Sequence, residues 1–402
     1  METYITSHIG IIILILIWNS SRPLYNLYDY SGARAIKQLI RPPSKTELED
    51  ENYRSPSTFA LWIVSIYVAI FGLASNRYER AVSTYEMQIA SWQNQMATEF
   101  RAQACANLST LQKIKLPQKP SLLSVWETFA SFFQDVEYTE GQSMLKQTVE
   151  AYKKNLNEAQ LNFANLRGLN FNNANIVNAS LNNSLFDRTK LKEANLQCST
   201  FNSSTFYNLN IYDSNLNNCN FDYASISNTT IINTDFNNST LFGTNFNNST
   251  LECYLNDSKL DFTKFNISSI ERTYLNKTML QNATFTNTSL WRAIFKDNTI
   301  NNTKFNNCTI NNSSFKNATI MNTYFQNTTI KNTTFSKTSF TNVDFTRAAI
   351  IDSNLVDTTG LTAKAISGAA TLYSTQLPKE IREELTSTNF SYLFEKPNWY
   401  KE

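Results

Sequence analysis

LNEAQLNFANLRGLNFNNANIVNASLNNSLF, residues 156–186, carries a large apolar residue at every fifth position: Leu156, Leu161, Leu166, Phe171, Ile176, Leu181 and Phe186. The beat continues to Leu251, slips by one residue within LECYL (251–255), and resumes from Leu255 to Leu355. All 41 centres are Leu, Ile or Phe. Two residues before each centre sits a second class, nearly all small: Ala159, Ala164, Ala174, Ser184, Thr189, Cys219 and so on, with Leu169, Leu209, Asn298 and Val343 among the exceptions. A period of five matches neither the 3.6 of a helix nor the 2 of a strand, so it describes a coil whose five-residue sides each turn a corner. One large and one small residue point inward on each side and three polar residues point out; Asn alone fills 43 of the 200 positions from 156 to 355. Such a solenoid has no bulk core, because each coil buries itself only against its neighbours.

Ala164-Asn165-Leu166-Arg167-Gly168, Ala174-Asn175-Ile176, Ala194-Asn195-Leu196, Ser214-Asn215-Leu216, Thr234-Asp235-Phe236 and Ser353-Asn354-Leu355 resemble the A-(D/N)-L-x-x unit of pentapeptide repeat proteins. The resemblance implies an all-β solenoid, a right-handed quadrilateral β-helix with four units per coil. The 41 units then make about ten coils. At ~4.8 Å between stacked strands the rod is roughly 50 Å long. From Phe285 the centres mostly alternate Phe with an aliphatic, which stacks Phe above Phe on two opposite sides and Ile on the other two, a matching of volumes in a narrow interior. Dropping one residue from a corner at 251–255 should kink the rod or displace a strand, unless the deletion is simply tolerated. The open strand edges at both ends need lids. The helix before Leu156 serves at one end; Thr362–Ile366, Leu372–Leu377 and Pro378–Leu385 form a short helical cap at the other. The run LYSTQLPKEI is similar to C-terminal segments of membrane-anchored bacterial pentapeptide repeat proteins.

Two apolar stretches precede the repeats, Ile9–Trp18 and Thr58–Ala74. At ~1.5 Å per residue the second just crosses a ~30 Å hydrocarbon layer. The first is shorter and fits a spanning helix, a re-entrant segment or a signal-peptide core; the Met1–Ser7 region has no Lys or Arg, which weighs against a signal. A buried core helix is the alternative for both. Arg22, Arg34, Lys37, Arg41, Lys45 and Arg54 fall between the two stretches, so the positive-inside rule puts loop 19–57 in the cytoplasm and the repeats on the far side of a bacterial inner or internal membrane. Tyr78, Val82, Tyr85, Ile89, Trp92 and Met96 then follow a 3.5-residue rhythm, a helix with one sticky seam. That seam either oligomerises, through residues 78–111, or packs against its own chain. The organisation is thus a membrane anchor (1–75), a helical connector (76–155), the β-helix (156–357) and the cap (358–402).

The chemistry offered is sparse. The chain has 35 Lys+Arg against 33 Asp+Glu, which argues against nucleic-acid binding by phosphate neutralisation. Its 8 Gly and 8 Pro exclude collagen-like and Pro/Gly-rich classes. His8 is its only histidine, at the edge of the first apolar stretch. Cys105, Cys198, Cys219, Cys253 and Cys308 are spaced for neither zinc nor a disulfide framework and are expected to be buried. No phosphate loop, nucleophile elbow or metal motif is present, so no catalytic, cofactor or metal residue is assigned and no cofactor is expected. Outward aromatics are few: Tyr207, Tyr212, Phe242, Tyr254, Tyr274, Trp291 and Tyr324; Tyr212 and Ile232 share a side one coil apart, with Trp291 further along. These features describe a non-enzymatic, membrane-anchored scaffold or interaction rod with the lipid bilayer and an unidentified protein as partners. The alternative is a surface protein whose Asn/Thr lattice binds a repetitive ligand. Mimicry of DNA against a topoisomerase, a role within the resembled family, needs a dense negative face, whereas the 13 acids of the repeats meet 15 Lys and Arg.

Overall fold

A computed structural model of the chain describes residues 31–400 except 52, 54, 56 and 57; Ile9–Trp18 and His8 lie outside the described residues. The chain divides into two compact units, Met1–Ile89 with Ile114–Gln142 and Ala90–Lys113 with Ser143–Glu402.

In the first unit the dominant element is a helix, Phe59–Met96, as far as Ile89. No Pro interrupts it, and from Leu61 onward it is long and apolar enough to cross a membrane. Trp62, Ile63, Val64, Ile66, Val68 and Leu73 are exposed along it. A second helix, Val125–Phe133, is held alongside. The Tyr67 hydroxyl lies 3.0 Å from the carbonyls of both Ser121 and Leu122, and Arg77 Nη1 donates to the Ser131 and Phe132 carbonyls at 3.0 and 2.8 Å. The guanidinium thereby satisfies acceptors that a helix end leaves unpaired. Lys115–Pro117 and Asp135–Glu137 pair as a two-stranded antiparallel ribbon that flanks this helix. Tyr85 is buried against Tyr138 and against Gly141, where any Cβ would stand 2.5 Å from the Tyr85 ring.

In the second unit Trp92 and Met96 are buried on the remaining helical turns; Trp92 Nε1 donates to the Ala104 carbonyl at 2.8 Å, and Met96 meets Cys105. Of the seam, Tyr85, Ile89, Trp92 and Met96 are buried within the chain, while Tyr78 and Val82 are half-buried.

The repeats form an all-β solenoid of four parallel ladders. One stacks nine strands, from Lys190–Lys192 to Ala349–Ile351, and another seven, from Leu185–Asp187 to Lys304–Asn306. A third ends in four strands, Met279–Gln281 to Ser339–Thr341, preceded by single bridges from Gln160↔Ser180 onward. The fourth is single bridges, from Asn175↔Asn195 to Asn354↔Gln376. Stacked partners such as Phe186↔Phe206 are four five-residue units apart. Every fifth residue from Glu158 to Asp352, with one interruption, has a positive φ, and Asn is the commonest residue there. Bonds such as Ala159 N to Leu156 O, 3.2 Å, close these corners in the type II pattern, which requires a left-handed third residue. Asn tolerates that conformation because its short side chain bonds locally, so corner geometry explains much of the Asn content.

Every one of the 41 centres is at most 2% exposed, and the small residues two positions earlier are buried with them. Their hydroxyls tie coils together: Ser184 Oγ donates to Leu161 O at 2.6 Å, Thr338 Oγ1 to Phe315 O at 2.7 Å, and Ser199 Oγ accepts from Ala179 N at 3.0 Å. These buried hydroxyls are thus paired within the chain, whereas Asn202 Oδ1, Thr240 Oγ1, Asn298 Nδ2 and Asn311 Oδ1 are buried with no partner in the protein. The Phe columns form on two ladders, Phe285, Phe305, Phe325 and Phe345 stacking at 4.6–5.0 Å and Phe295, Phe315 and Phe335 at 4.7–4.9 Å, while Ile310, Ile330 and Ile350 stack on a third.

At the slip, Thr250–Tyr254 pairs with Thr230–Asp235, and the register shifts between Glu252 and Cys253 so that Asn233 has no counterpart. The missing residue is a left-handed corner. The strand runs straight through, and the irregularity is absorbed as a bulge while parallel pairing continues on both sides.

Both ends are closed. At the N-terminal end each ladder edge is met by one group: Gln160 N donates to Ala102 O (3.1 Å), Asn165 N to Gln112 Oε1 (2.8 Å), Asn170 N to Glu150 Oε1 (2.7 Å) and Asn175 N to Lys153 O (2.8 Å). Gln112 also returns a bond, Nε2 to Asn165 O at 2.7 Å, so its amide imitates a strand's peptide group. At the other end pairing runs past residue 357: Ala349 bridges Thr371 and Asn354 bridges Gln376, on buried Ile366, Leu372 and Leu377. Helix Lys379–Ser387 and the turn Ser391–Phe394 cover that end with Ile381, Leu385 and Leu393.

Candidate interaction surface of the solenoid

Most of the outer surface is a lattice of amides. Corner side chains bond up the column, Asn233 Nδ2 to Asp213 Oδ1 and Asn248 Nδ2 to Asn228 Oδ1 at 2.8 Å, Asn342 Nδ2 to Asn322 Oδ1 at 2.9 Å. The residues before the corners form another column, in which a side-chain oxygen accepts the backbone N–H one coil on, as in Asn182 N to Asn162 Oδ1 and Asn202 N to Asn182 Oδ1, both 2.8 Å.

Several charges on this lattice sit beside an opposite sign. Asp187 receives Arg167 at 2.8 Å and Arg188 at 3.5 Å; Glu252 receives Arg272 at 3.4 Å; Lys296 reaches Asp297 at 3.7 Å. No ladder carries an unbroken row of acids.

The slip is where the lattice changes chemistry. Beside the missing corner, Tyr254 and Tyr274 stack at 5.2 Å, both more than a third exposed. On the adjoining ladder Trp291 is flanked by two guanidiniums, Arg292 at 4.3 Å and Arg272 at 5.4 Å from the ring centre. Arg272 occupies the first corner of that column after the gap, and Glu252, its ion partner, lies in the straightened strand. Tyr212 pairs with Ile232, as the four-unit count expects, and Ile232 with Glu252, so the side they share leads into this cluster. A second exposed ridge, Tyr223, Phe242 and Phe262, runs along another ladder with ring centres 5.4 and 5.0 Å apart. Tyr223, Phe262 and Phe163 add to the outward aromatics expected from the sequence; they occupy corners, where a left-handed φ turns them outward.

Four cysteines, Cys105, Cys219, Cys253 and Cys308, are buried, and burial pushes each thiol up to about 12. Cys198 departs from the expectation: it is a corner residue and exposed. Among the described residues no group of three or more His, Cys, Asp and Glu is placed to hold a metal ion. An open depression of about 560 Å³ near Asn94, Gln95, Gln103 and Asn107 has no titratable side chain in its lining.

Residues 155–192, 184–222 and 320–357 match the family model for pentapeptide repeats, in 8 copies. No curated protein matches the chain. Among solved structures, the chain is similar to HetL, a pentapeptide repeat protein involved in heterocyst differentiation regulation from the cyanobacterium Nostoc, at 12% identity over 52% of this chain and 95% of that one, TM-score 0.42. It is similar also to QnrB1, a plasmid-mediated fluoroquinolone resistance protein (13% identity, 55% and 95% covered, TM-score 0.20). A third likeness is to Rfr23 from the cyanobacterium Cyanothece (17% identity, 36% and 99% covered, TM-score 0.15). The family match supports the pentapeptide repeat family and a fold consistent with a non-catalytic repeat protein.

Proposed function

We propose, on the premise of a pentapeptide-type repeat domain, that this chain is a membrane-anchored bacterial scaffold whose solenoid, a right-handed four-sided coil of about ten turns, presents one localised docking patch to a protein partner. The observation that carries the reading is the Tyr254, Tyr274, Arg272, Trp291 and Arg292 cluster at the slip, which joins stacked aromatics and guanidiniums in a lattice rich in self-bonded amides. Trp, Tyr and Arg are the residues in which interface binding energy concentrates. The apolar exposed helix from Leu61 supports the anchor, and Arg34, Lys37, Arg41 and Lys45 ahead of it support a cytoplasmic loop with the solenoid on the far side. Burial of four of the five thiols in protonated form supports a non-catalytic role.

The test is photocross-linking in cells from a benzoylphenylalanine placed at Trp291 and, separately, at Asn312 in the plain lattice. A partner captured from the first position and not the second, and lost on Arg272→Ala with Arg292→Ala, is the expected result. Equal capture from both, or none, refutes a localised protein site. Impermeant thiol labelling of cysteines at Asn302 and Ser44 on intact cells tests sidedness: labelling at Asn302 alone is expected.

The continuous Asn columns favour a second reading, a repetitive ligand bound along the lattice. Binding that scales with coil number in truncations would select it. Topoisomerase mimicry fits poorly with acids that stand beside guanidiniums, as Asp187 does.

A further inference from the structure

Helix Val125–Phe133 is amphipathic in an inverted sense. Its small residues Thr128, Ala130 and Ser131 are buried, while Leu122, Leu123, Val125, Trp126, Phe129 and Phe133 are exposed, Leu123 at 97% and Phe133 at 83%. In water that arrangement wastes apolar burial. In hydrocarbon it is the expected one, because helices meet there through small residues and turn large apolar ones to the lipid. Position points the same way. The Tyr67 hydroxyl, near the middle of the apolar stretch Thr58–Ala74, bonds the Ser121 and Leu122 carbonyls and lies 3.2 Å from Thr128 Oγ1. Tyr67 lies seven positions before Ala74, so the 121–123 turn sits about 10 Å inside that end of the stretch.

We propose that residues 120–134 form a re-entrant element that dips into the same leaflet as the exit of the spanning helix, its Leu122–Leu123 tip near mid-bilayer and its Trp126, Phe129 and Phe133 face on lipid acyl chains. This rests on the membrane-anchor reading. Backbone groups at membrane depth must be paired within the protein. At the tip the Tyr67 hydroxyl meets the Ser121 and Leu122 carbonyls and Ser124 N donates to Ser121 O, and at the helix C-terminus Arg77, whose charge lies three residues beyond Ala74, meets the Ser131 and Phe132 carbonyls. Glu127, the one charged side chain of the segment, is half-buried in the helix's first turn, where the dipole favours an anion. The segment thickens the anchor and clamps the spanning helix at one end.

The experiment places a nitrobenzoxadiazole label on Leu123→Cys and, separately, on Ile63→Cys, in the full chain with Cys198→Ser, reconstituted in phosphatidylcholine–phosphatidylglycerol vesicles. The expected result is blue-shifted emission at both sites, loss of iodide quenching, and stronger quenching of the Leu123 label by a nitroxide at acyl carbon 12 than by one at carbon 5. Iodide quenching at Leu123 with lipid quenching at Ile63 overturns the re-entrant element and leaves the anchor standing. Iodide quenching at both overturns both. A Leu123 label shielded from iodide and nitroxide alike, and cross-linking to another copy, assigns the face to protein and overturns the proposal.

Discussion

Replacing Phe315 by Ala probes the feature on which the solenoid depends. Phe315 is fully buried, its ring stacked at 4.7 Å on Phe295 and 4.9 Å on Phe335, with Phe305 and Phe325 edge-on at 6.3 and 6.4 Å. A buried Phe→Ala change costs about 3–5 kcal/mol, more where the site cannot collapse. Collapse is blocked here, since Phe315 N donates to Thr334 O at 2.8 Å and Ala318 N to Phe315 O at 3.1 Å, bonds that hold the backbone to the next coil and to its own corner. The upper end, about 5 kcal/mol, is therefore expected. At about 2–4 °C per kcal/mol for a domain of this size, the melting midpoint should fall by about 10–20 °C. Phe315→Leu, which substitutes another residue the repeat uses as a centre, should cost about 1–2 kcal/mol. Calorimetry of the full chain in detergent micelles reads both, and hydrogen exchange should show the lost protection confined to the coils around 315, because each coil contacts only its neighbours. Equal midpoints for the Ala and Leu variants would refute an inward, close-packed Phe315.

Other consequences are as direct. Ile267 holds φ 50° at an exposed corner, a poor conformation for a β-branched residue, so Ile267→Asn should raise stability by about 1 kcal/mol in denaturant titration. Maleimide should label native protein at Cys198 alone, with the other four reacting only on unfolding. Those four thiols titrate near 9 when unfolded and about 12 when folded, so their contribution is complete below pH 9 and is lost as pH rises towards 12; converting Cys219, Cys253 and Cys308 to Ala should flatten that alkaline decline. Glu150→Leu should remove about 1.5–3 kcal/mol of charged hydrogen bonding to Asn170 N and speed exchange of that amide, whereas Glu150→Gln should retain most of it.

The interior was readable because the frame repeats: one large residue inward every fifth position places each of the 41 centres, and four units per coil place the Phe columns. Cys198 was readable in the same frame, two residues after Leu196 and hence at a corner, whereas Cys219 and Cys308 fall two before a centre. Composition alone had grouped all three. The slip was visible as a missing residue, yet which residue was missing depends on Cys253 pairing with Thr234, a register no local pattern encodes. The N-terminal lid was expected as a helix. That Gln112 and Glu150 supply the pairing groups is a tertiary fact, since an exposed Gln or Glu on a helix reads simply as a solvated side chain.

The two readings of the surface differ in what a ligand would have to displace. Corner amides such as Asn233 and Asn342 already donate along their columns, and Asn162, Asn182 and Asn217 already accept backbone N–H groups from the next coil. A ligand running along this lattice exchanges existing hydrogen bonds for new ones, with little net gain per contact. Trp291 with its two guanidiniums and the Tyr254–Tyr274 stack are different, because their faces are partly exposed and made of groups whose desolvation against a partner is favourable. The deletion that removes a corner from the column also removes its amide, so the Tyr254–Tyr274 stack and Arg272 stand beside a gap in the lattice. Restoring the corner by inserting Asn between Glu252 and Cys253 should therefore rebuild an ordinary coil, and it should abolish cross-linking from position 291 while leaving the melting midpoint unchanged or higher. Loss of the fold instead would show that the coils above have been shaped to the shortened side.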